Sequence, residues 1–264
     1  MTYQTNVIGT LNVLEAARKS KSVKAFINVT TDKCYENNDE LISFQETDKL
    51  GGYDMYSSSK ACSEILTASY RNSFLKEENT MAVATARAGN VIGGGDWAEY
   101  RLIPDCIKAI NNKETITLRN PKSTRPWQFV LEPLWGYLLL AKKLYENKNE
   151  FSEAFNFGAK EIDSITVEEI VNEIITIYED GSYKIMSQNN YHEAKNLKLD
   201  TTKAEKKLNW GNTFSTKEAL YQTVLWYKNF YNQNIDMYDF TLSQISNFER
   251  KSSIETTDRE KIQL

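Results

Sequence analysis

In the first twenty positions, Val7, Leu11, Val13, Leu14 and Ala17 recur at roughly helical spacing, which predicts an amphipathic helix. Lys24–Thr30 (KAFINVT) is a short β-rich run that reads as a buried strand. Tyr56–Phe74 predicts a helix and Thr80–Arg87 (TMAVATAR) the next strand. Gly89–Gly95 carries four glycines in seven residues and reads as a loop. A helix is expected over Leu102–Ile110, with Pro104 tolerated in its first turn. Another is expected over Pro133–Tyr145, with Pro133 at its start. A third runs over Val167–Tyr178, capped by Thr166. Lys203–Leu208 and Thr216–Tyr231 complete the helices, with the aromatic-rich end WYKNFY read as packing. After Asn232 the chain turns polar, and Glu249–Leu264 reads as a loose tail. Strands alternating with helices predict an α/β fold with a parallel, doubly wound sheet.

Charge and residue counts narrow the function more than the fold. A net charge of −4 argues against a nucleic-acid partner, and an anionic substrate has to be held by local cations. The longest apolar stretch, Leu134–Ala141, is far short of the roughly 20 residues that span a bilayer, so no membrane partner is expected. MTYQTNVIGT has no basic region followed by an apolar core, so no secretory signal is expected. Cys34, Cys62 and Cys106 have no metal-ligand spacing, and an odd count without a signal fits a reducing cytoplasm. The single histidine, His192, excludes a His-rich metal site, so no metal is expected.

The strongest local signal is Tyr56-Ser57-Ser58-Ser59-Lys60. Tyr and Lys four apart share one helix face, where the ammonium stabilises a phenolate and bonds a ribose hydroxyl. Taken alone, such a spacing is mostly a surface accident. Here Val29-Thr30-Thr31-Asp32-Lys33 ends a strand 25 residues before Tyr56, counted from Thr31, and Arg87-Ala88-Gly89-Asn90-Val91 ends the next. Open α/β sheets bind ligands at the carboxyl ends of their strands, so these groups point to one site. No G-x-G-x-x-G turn occurs in the chain. Gly93-Gly94-Gly95 follows a strand, but no helix begins directly after it and Asp96 sits where a phosphate would approach. A flexible substrate loop is the favoured reading there.

With these motifs the chain resembles the extended short-chain dehydrogenase/reductase superfamily. Asn6-Val7-Ile8-Gly9-Thr10 with Leu14-Glu15-Ala16-Ala17-Arg18 is similar to the helix before that superfamily's fourth strand. The Thr-Asp-x triplet resembles its nucleotide-sugar 4,6-dehydratases, many of which have Thr-Asp-Glu. Thr31-Asp32-Lys33 is similar to the CDP-glucose 4,6-dehydratases among them. So are Asp32-Lys33-Cys34-Tyr35, Gly51-Gly52-Tyr53-Asp54, Ala88–Trp97 (AGNVIGGGDW), Arg101–Asp105 (RLIPD), Arg125-Pro126-Trp127-Gln128, Leu131-Glu132-Pro133-Leu134 and His192-Glu193-Ala194. The resemblance runs from Tyr3 to Tyr231. It implies a partial Rossmann-like sheet, with about 100 residues carrying the first strands and the glycine turn expected before position 1. Residues 1–100 are then the remaining NAD-binding part, 101–232 a substrate lobe interleaved with late sheet elements, and 233–264 the tail.

The resemblance implies an internal redox elimination on CDP-glucose with NAD as cofactor, in deoxysugar synthesis for a surface polysaccharide such as the O-antigen of lipopolysaccharide. Tyr56 is the implied base on the sugar 4-hydroxyl, Thr31 its hydrogen-bonding partner, and Lys60 the ribose-binding cation. Asp32 is the candidate acid, which must be protonated to donate, and Lys33 the candidate C5 base, which must be neutral to accept. A loop ion pair is the alternative for these two. Asn6, Thr30, Tyr56 and Lys60 are candidate cofactor contacts. Asn90, Arg101, Arg125, Trp97 and His192 are candidate substrate contacts, with Arg suited to forked bonds on a diphosphate. The alternatives are a turn residue for Asn90, surface ion pairs for the arginines, core packing for Trp97 and Trp127, and a structural role for His192. A homodimer through Asn6–Lys19 and Tyr56–Phe74 is implied as well. Two other functional readings stay open. One is a catalytically inactive fragment that acts as an interaction module through an exposed strand edge. The other is a different dehydratase or epimerase of the superfamily, which leaves Asp32-Lys33 unexplained.

Overall fold

The strand expected over Thr80–Arg87 forms the centre of a sheet, and its small side chains explain why. Ala82–Ala88 (AVATARA) is buried along its whole length, and alanine lets helices approach closely on one face. The computed structural model describes residues 1–37, 43–77, 80–159, 165–186, 198–232 and 234–262. In chain order the elements are α1 (Gly9–Lys19), β1 (Ala25–Val29), β2 (Ser43–Phe44), α2 (Met55–Phe74), β3 (Ala82–Ala88), β4 (Asn90–Ile92), α3 (Leu102–Asn111), β5 (Ile116–Leu118), β6 (Thr124–Arg125), β7 (Trp127–Phe129), α4 (Leu131–Glu146), α5 (Lys148–Phe151), β8 (Ala154–Phe157), β9 (Ile165–Thr166), α6 (Val167–Tyr178), β10 (Tyr183–Ile185), β11 (Lys198–Leu199), α7 (Thr202–Leu208), α8 (Thr216–Tyr231) and α9 (Met237–Ile262). A π-helical turn, Gln4–Ile8, leads into α1, and a 3-10 turn, Asp32–Cys34, follows β1.

The chain forms two compact units. The first comprises Met1–Gly89, Pro133–Gly158 and Asn196–Gly211. Its sheet has the order β1-β3-β8, all parallel, with Ala25 opposite Ala82 and Thr85 opposite Ala154. The two-residue period of β3 sends Ala82, Ala84 and Ala86 toward Leu140 and Leu144 of α4, Phe155 and Trp210. Val83 on the other face packs with Leu14 of α1, Leu75 and Met81. Thr85 and Arg87 share that second face and reach α2 with polar bonds. Among the described residues β1 and β8 are the two outer strands of this sheet.

The second unit comprises Asn90–Glu132, Ala159–Lys195 and Asn212–Leu264. β4 pairs with β7 and β5 with β10, both parallel, while β6 and β9 run antiparallel. Its core joins Ile107 and Ile110 of α3, Phe129, Ile170 and Ile174 of α6, Leu220 and Val224 of α8. Thr166 caps α6 in a reciprocal box with Glu169, as its position before the helix predicts.

Two expectations are corrected. Asn90–Ile92, read as loop, is a strand because it hydrogen-bonds β7; only Gly93–Gly95 remains open. There the glycines are required: Gly95 has φ +82, and a Cβ on Gly94 would sit 2.1 Å from the Trp226 ring. The polar tail expected after Asn232 is instead the helix α9, packed on α8. Its inward positions are Thr241, Gln244, Phe248 and Ser252, a helical stripe that is mostly polar and so invisible to apolar periodicity. Gln244 donates to the Gln222 backbone oxygen at 2.8 Å, and Phe248 meets the Phe214 ring edge-on at 5.5 Å. Phe248→Ala is expected to destabilise the protein by about 3 kcal/mol, as for large-to-small changes of a buried aromatic. A shift of the urea unfolding midpoint measures it; an unchanged midpoint would show that α9 is not part of the folded unit.

Candidate active site

β1 delivers the chain into the 3-10 turn. The Thr30 amide continues the ladder to the Ala86 oxygen at 2.8 Å, and Thr31 then caps the turn with its side chain. Thr31 Oγ1 donates to Asp32 Oδ1 at 2.8 Å, and Lys33 Nζ reaches the same oxygen at 3.2 Å. Asp32 is 1% exposed, while the Lys33 side chain is 44% exposed, so the pair bridges core and surface. Asp32 Oδ2 is buried without a partner among the described residues. A side chain at Gly89 would begin 3.8 Å from it, in ordinary van der Waals contact.

α2 packs against this turn. Its start is fixed by Asp54, whose Oδ1 accepts from the backbone N–H of Tyr56 at 2.8 Å and of Ser57 at 3.0 Å. The Ser57 bonds hold the Asp54 carboxyl below its usual range, so the cap stays charged at the positive end of the helix. Tyr56 therefore sits in the first turn, half-exposed. Lys60 lies one turn further on the same face and has no hydrogen-bond or ion-pair partner among the described residues. Burial holds its pKa below 10.5, against the opposing charge of Glu64. Thr31, Asp32, Lys33, Tyr56 and Lys60 thus belong to one unit and to two touching elements.

Two proposed cofactor contacts are otherwise engaged. The Asn6 amide donates to Ser59 Oγ at 2.9 Å, which docks the π turn on α2, and the Thr30 hydroxyl donates to Glu64. Beneath the turn lies a buried network not foreseen from the sequence. Glu64 Oε2 accepts from Thr85 Oγ1 at 2.7 Å and from Arg87 at 2.8 Å. Arg87 also donates to the Tyr35 hydroxyl at 2.8 Å, and that hydroxyl donates to Asn156 Oδ1 at 2.7 Å. Burial works against the Arg87 charge, but Glu64 outweighs it and holds the guanidinium above its ordinary pKa. Burial likewise raises the Tyr35 phenol, and pushes the Cys34 thiol up to about 12, which makes it inert. The available signal was spacing: Glu64 follows Lys60 by one more helical turn.

The remaining candidates belong to the second unit. Asn90 opens β4 and lines a cavity of about 520 Å³ with Tyr100, Arg119, Asn120, Ser123 and Trp127. Arg119 has no ion-pair partner among the described residues; it directly follows β5, the strand-end position that also marked Thr31. Arg101 does not line this cavity and pairs with Asp96 at 2.9 Å, the surface ion pair weighed as its alternative. Trp97 packs on Tyr227 at 5.2 Å and Phe230 at 5.1 Å, so it serves an aromatic cluster. Arg125 contributes its backbone to β6, opposite Ile165. His192 lies outside the described residues. No cluster of three or more His, Cys, Asp or Glu side chains suited to a metal occurs among the described residues.

The family model described as GDP-mannose 4,6 dehydratase matches residues 1–223. The chain is 44% identical over 232 residues to the CDP-glucose 4,6-dehydratase of Salmonella typhimurium. That match covers 86% of this chain and 65% of the Salmonella enzyme, so the chain spans just under two thirds of that relative's length. Its fold is similar to the dTDP-glucose 4,6-dehydratase of Bacillus anthracis solved with NAD, with a TM-score of 0.72 at 23% identity, covering 86% of this chain and 68% of that one. It is also similar to the UDP-glucuronic acid 4-epimerase of Bacillus cereus in complex with UDP-glucuronic acid and NAD, with a TM-score of 0.71 at 19% identity over 86% of this chain and 68% of that one.

The lowered Lys60 pKa has a thermodynamic consequence. Between the folded value and 10.5 the unfolded chain binds more protons, so the stability cost of burying the ammonium is full at lower pH and fades as pH rises to 10.5. Lys60→Met is expected to be at least as stable as the parent at neutral pH, with the gap closing toward pH 10.5. Urea unfolding of both proteins across that window checks this; a gap that widens with pH would contradict the burial.

Proposed function

This chain belongs to the GDP-mannose 4,6-dehydratase family, and from that premise we propose that it carries the catalytic residues of an NAD-dependent CDP-glucose 4,6-dehydratase, a lyase that makes CDP-4-keto-6-deoxyglucose. One observation carries the reading: the Thr31-Asp32-Lys33 turn packs against the helix that bears Tyr56 and Lys60. An epimerase needs the second element but has no use for a buried acid joined to a lysine. The 44% identical Salmonella enzyme supports CDP-glucose as substrate.

The residues fit the ribose end of NAD. Lys60 is a half-buried ammonium without a partner among the described residues, and ribose hydroxyls supply what it lacks. A bound NAD⁺ would supply the hydride acceptor for sugar C4 and the hydride donor for C6. Tyr56, as phenolate, removes the 4-hydroxyl proton while Thr31 hydrogen-bonds that oxygen. The resulting ketone acidifies the C5 hydrogen, which Lys33 takes. Asp32 protonates the departing 6-hydroxyl, which leaves as water. The proton on Lys33 returns to C5 as hydride reaches C6, and the proton taken by Tyr56 replaces the one Asp32 gave, so one water is lost in balance. Asp32 and Lys33 stand 3.2 Å apart, and one proton moved from ammonium to carboxyl makes one an acid and the other a base together. Oδ2, without a partner among the described residues, is the oxygen suited to carry the donated proton.

In the second unit taken by itself, the cavity with Asn90 and Arg119 suits a phosphate-bearing ligand, and Arg119 is the cation there that can make forked bonds to phosphate oxygens. Ile8, Val13, Ile65 and Phe74 are exposed on or beside α1 and α2, which supports a homodimer through these helices. The proposed setting is cytoplasmic synthesis of an activated 6-deoxysugar for surface polysaccharide. Among the described residues no strand pairs with the outer side of β1, which favours one further reading, that this unit pairs there with a strand of another segment that holds the NAD pyrophosphate. Calorimetry with NAD⁺, together with CDP-glucose turnover read as enone absorbance in alkali, tests the proposal. Tyr56→Phe and Asp32→Asn should each lower turnover by about 10²–10⁴-fold, the usual worth of a general acid or base. Turnover that survives Tyr56→Phe would overturn the assignment.

A further inference from the structure

We propose that the buried Glu64–Arg87 pair is a positioning device that holds both ends of the Thr31-Asp32-Lys33 turn against the helix bearing Tyr56 and Lys60. The turn has one anchor before it and one after. Before it, the Thr30 hydroxyl donates to Glu64 Oε1. After it, the Tyr35 hydroxyl accepts from Arg87 at 2.8 Å. Glu64 and Arg87 are joined at 2.8 Å, so one ion pair closes the loop between the two anchors. Glu64 stands on α2, one helical turn beyond Lys60 and two beyond Tyr56, so the same carboxylate fixes the reacting helix. Arg87 and Thr85 tie it to β3, the strand beside β1.

The network is not arranged for stability alone. Both side chains are nearly inaccessible, at 4% and 3%, where desolvation rivals the attraction between charges. Arg87 Nε is buried without a partner among the described residues, a further cost. Two apolar side chains would spare the desolvation of both charges, but they would leave the Thr30 and Thr85 hydroxyls without their acceptor and would not fix Thr30 and Tyr35 by directed bonds. Asp32 touches neither Glu64 nor Arg87 through any bond in the network, so the pair acts on chemistry only through the position of the turn.

The effect on turnover rests on the dehydratase reading, whereas the effect on the turn does not. The test compares the chain with the double variant Glu64→Leu/Arg87→Met and with Glu64→Gln, by thermal unfolding, amide hydrogen exchange, and kcat and KM for CDP-glucose with NAD⁺. The double variant is expected to melt below the parent, because it leaves the buried Thr30 and Thr85 hydroxyls without their acceptor, while amides of residues 31–35 exchange about tenfold faster and those of β3 are unchanged relative to the rest of the folded chain. Its kcat should fall about 100-fold with KM within about threefold, as expected when reacting groups are displaced by about 1 Å. Glu64→Gln, which keeps the shape of the side chain, should shift the same amides and kcat in the same direction, and decides the matter if the double variant does not fold. Unchanged exchange at 31–35 in the folded variant would overturn the proposal, as would exchange that rises equally throughout. If the parent itself does not turn over CDP-glucose, the dehydratase reading fails while the exchange result still decides the clamp.

Discussion

A fully buried strand that carries polar side chains must find partners for them, and β3 meets this constraint through one carboxylate. Thr85 and Arg87 share the face toward α2 with Val83 and alternate with the alanines of the other face. Glu64 receives both, together with Thr30 from the neighbouring strand. The requirement therefore fixes the rotation of α2 about its axis, and with it the face on which Tyr56 and Lys60 stand. The opposite face of β3 is alanine, which lets α4 and Trp210 pack closely.

Once that geometry is set, the chemistry follows from what is left unpaired. Lys60 carries a charge that burial disfavours and that no described neighbour bonds. Asp32 keeps one oxygen bonded to Thr31 and Lys33 and the other free beside Gly89. Asn6 and Thr30 each spend a side-chain bond on α2 and so support the frame, whereas Lys60 has no bonding partner among the described residues.

Much of this was legible along the chain because it depends on local spacing. Tyr56 and Lys60 are one helical turn apart, Thr166 sits at a cap position, and Thr31 and Asp32 follow a β-rich run. Glu64 and Arg87 were missed because their pairing joins residues 23 positions apart on different elements. Asn90–Ile92 escaped because its partner, Trp127–Phe129, is distant in sequence and its flanking glycines resemble a loop. α9 escaped because Gln244 and Ser252 are buried as hydrogen-bonding groups rather than as apolar ones. Arg101 was singled out within its motif and Arg119 was not noticed, because the ion pair of Arg101 to Asp96 depends on how the chain turns after Gly95.

The proposed mechanism requires that hydride leave sugar C4 and return to C6 within one turnover, with Tyr56, Lys33 and Asp32 moving the protons. CDP-glucose carrying deuterium at C4, incubated with the protein and NAD⁺, tests it most directly by mass spectrometry and NMR of the product. The account predicts that the deuterium appears in the C6 methyl group. Deuterium retained at C4, or lost to solvent or to free cofactor, would contradict it.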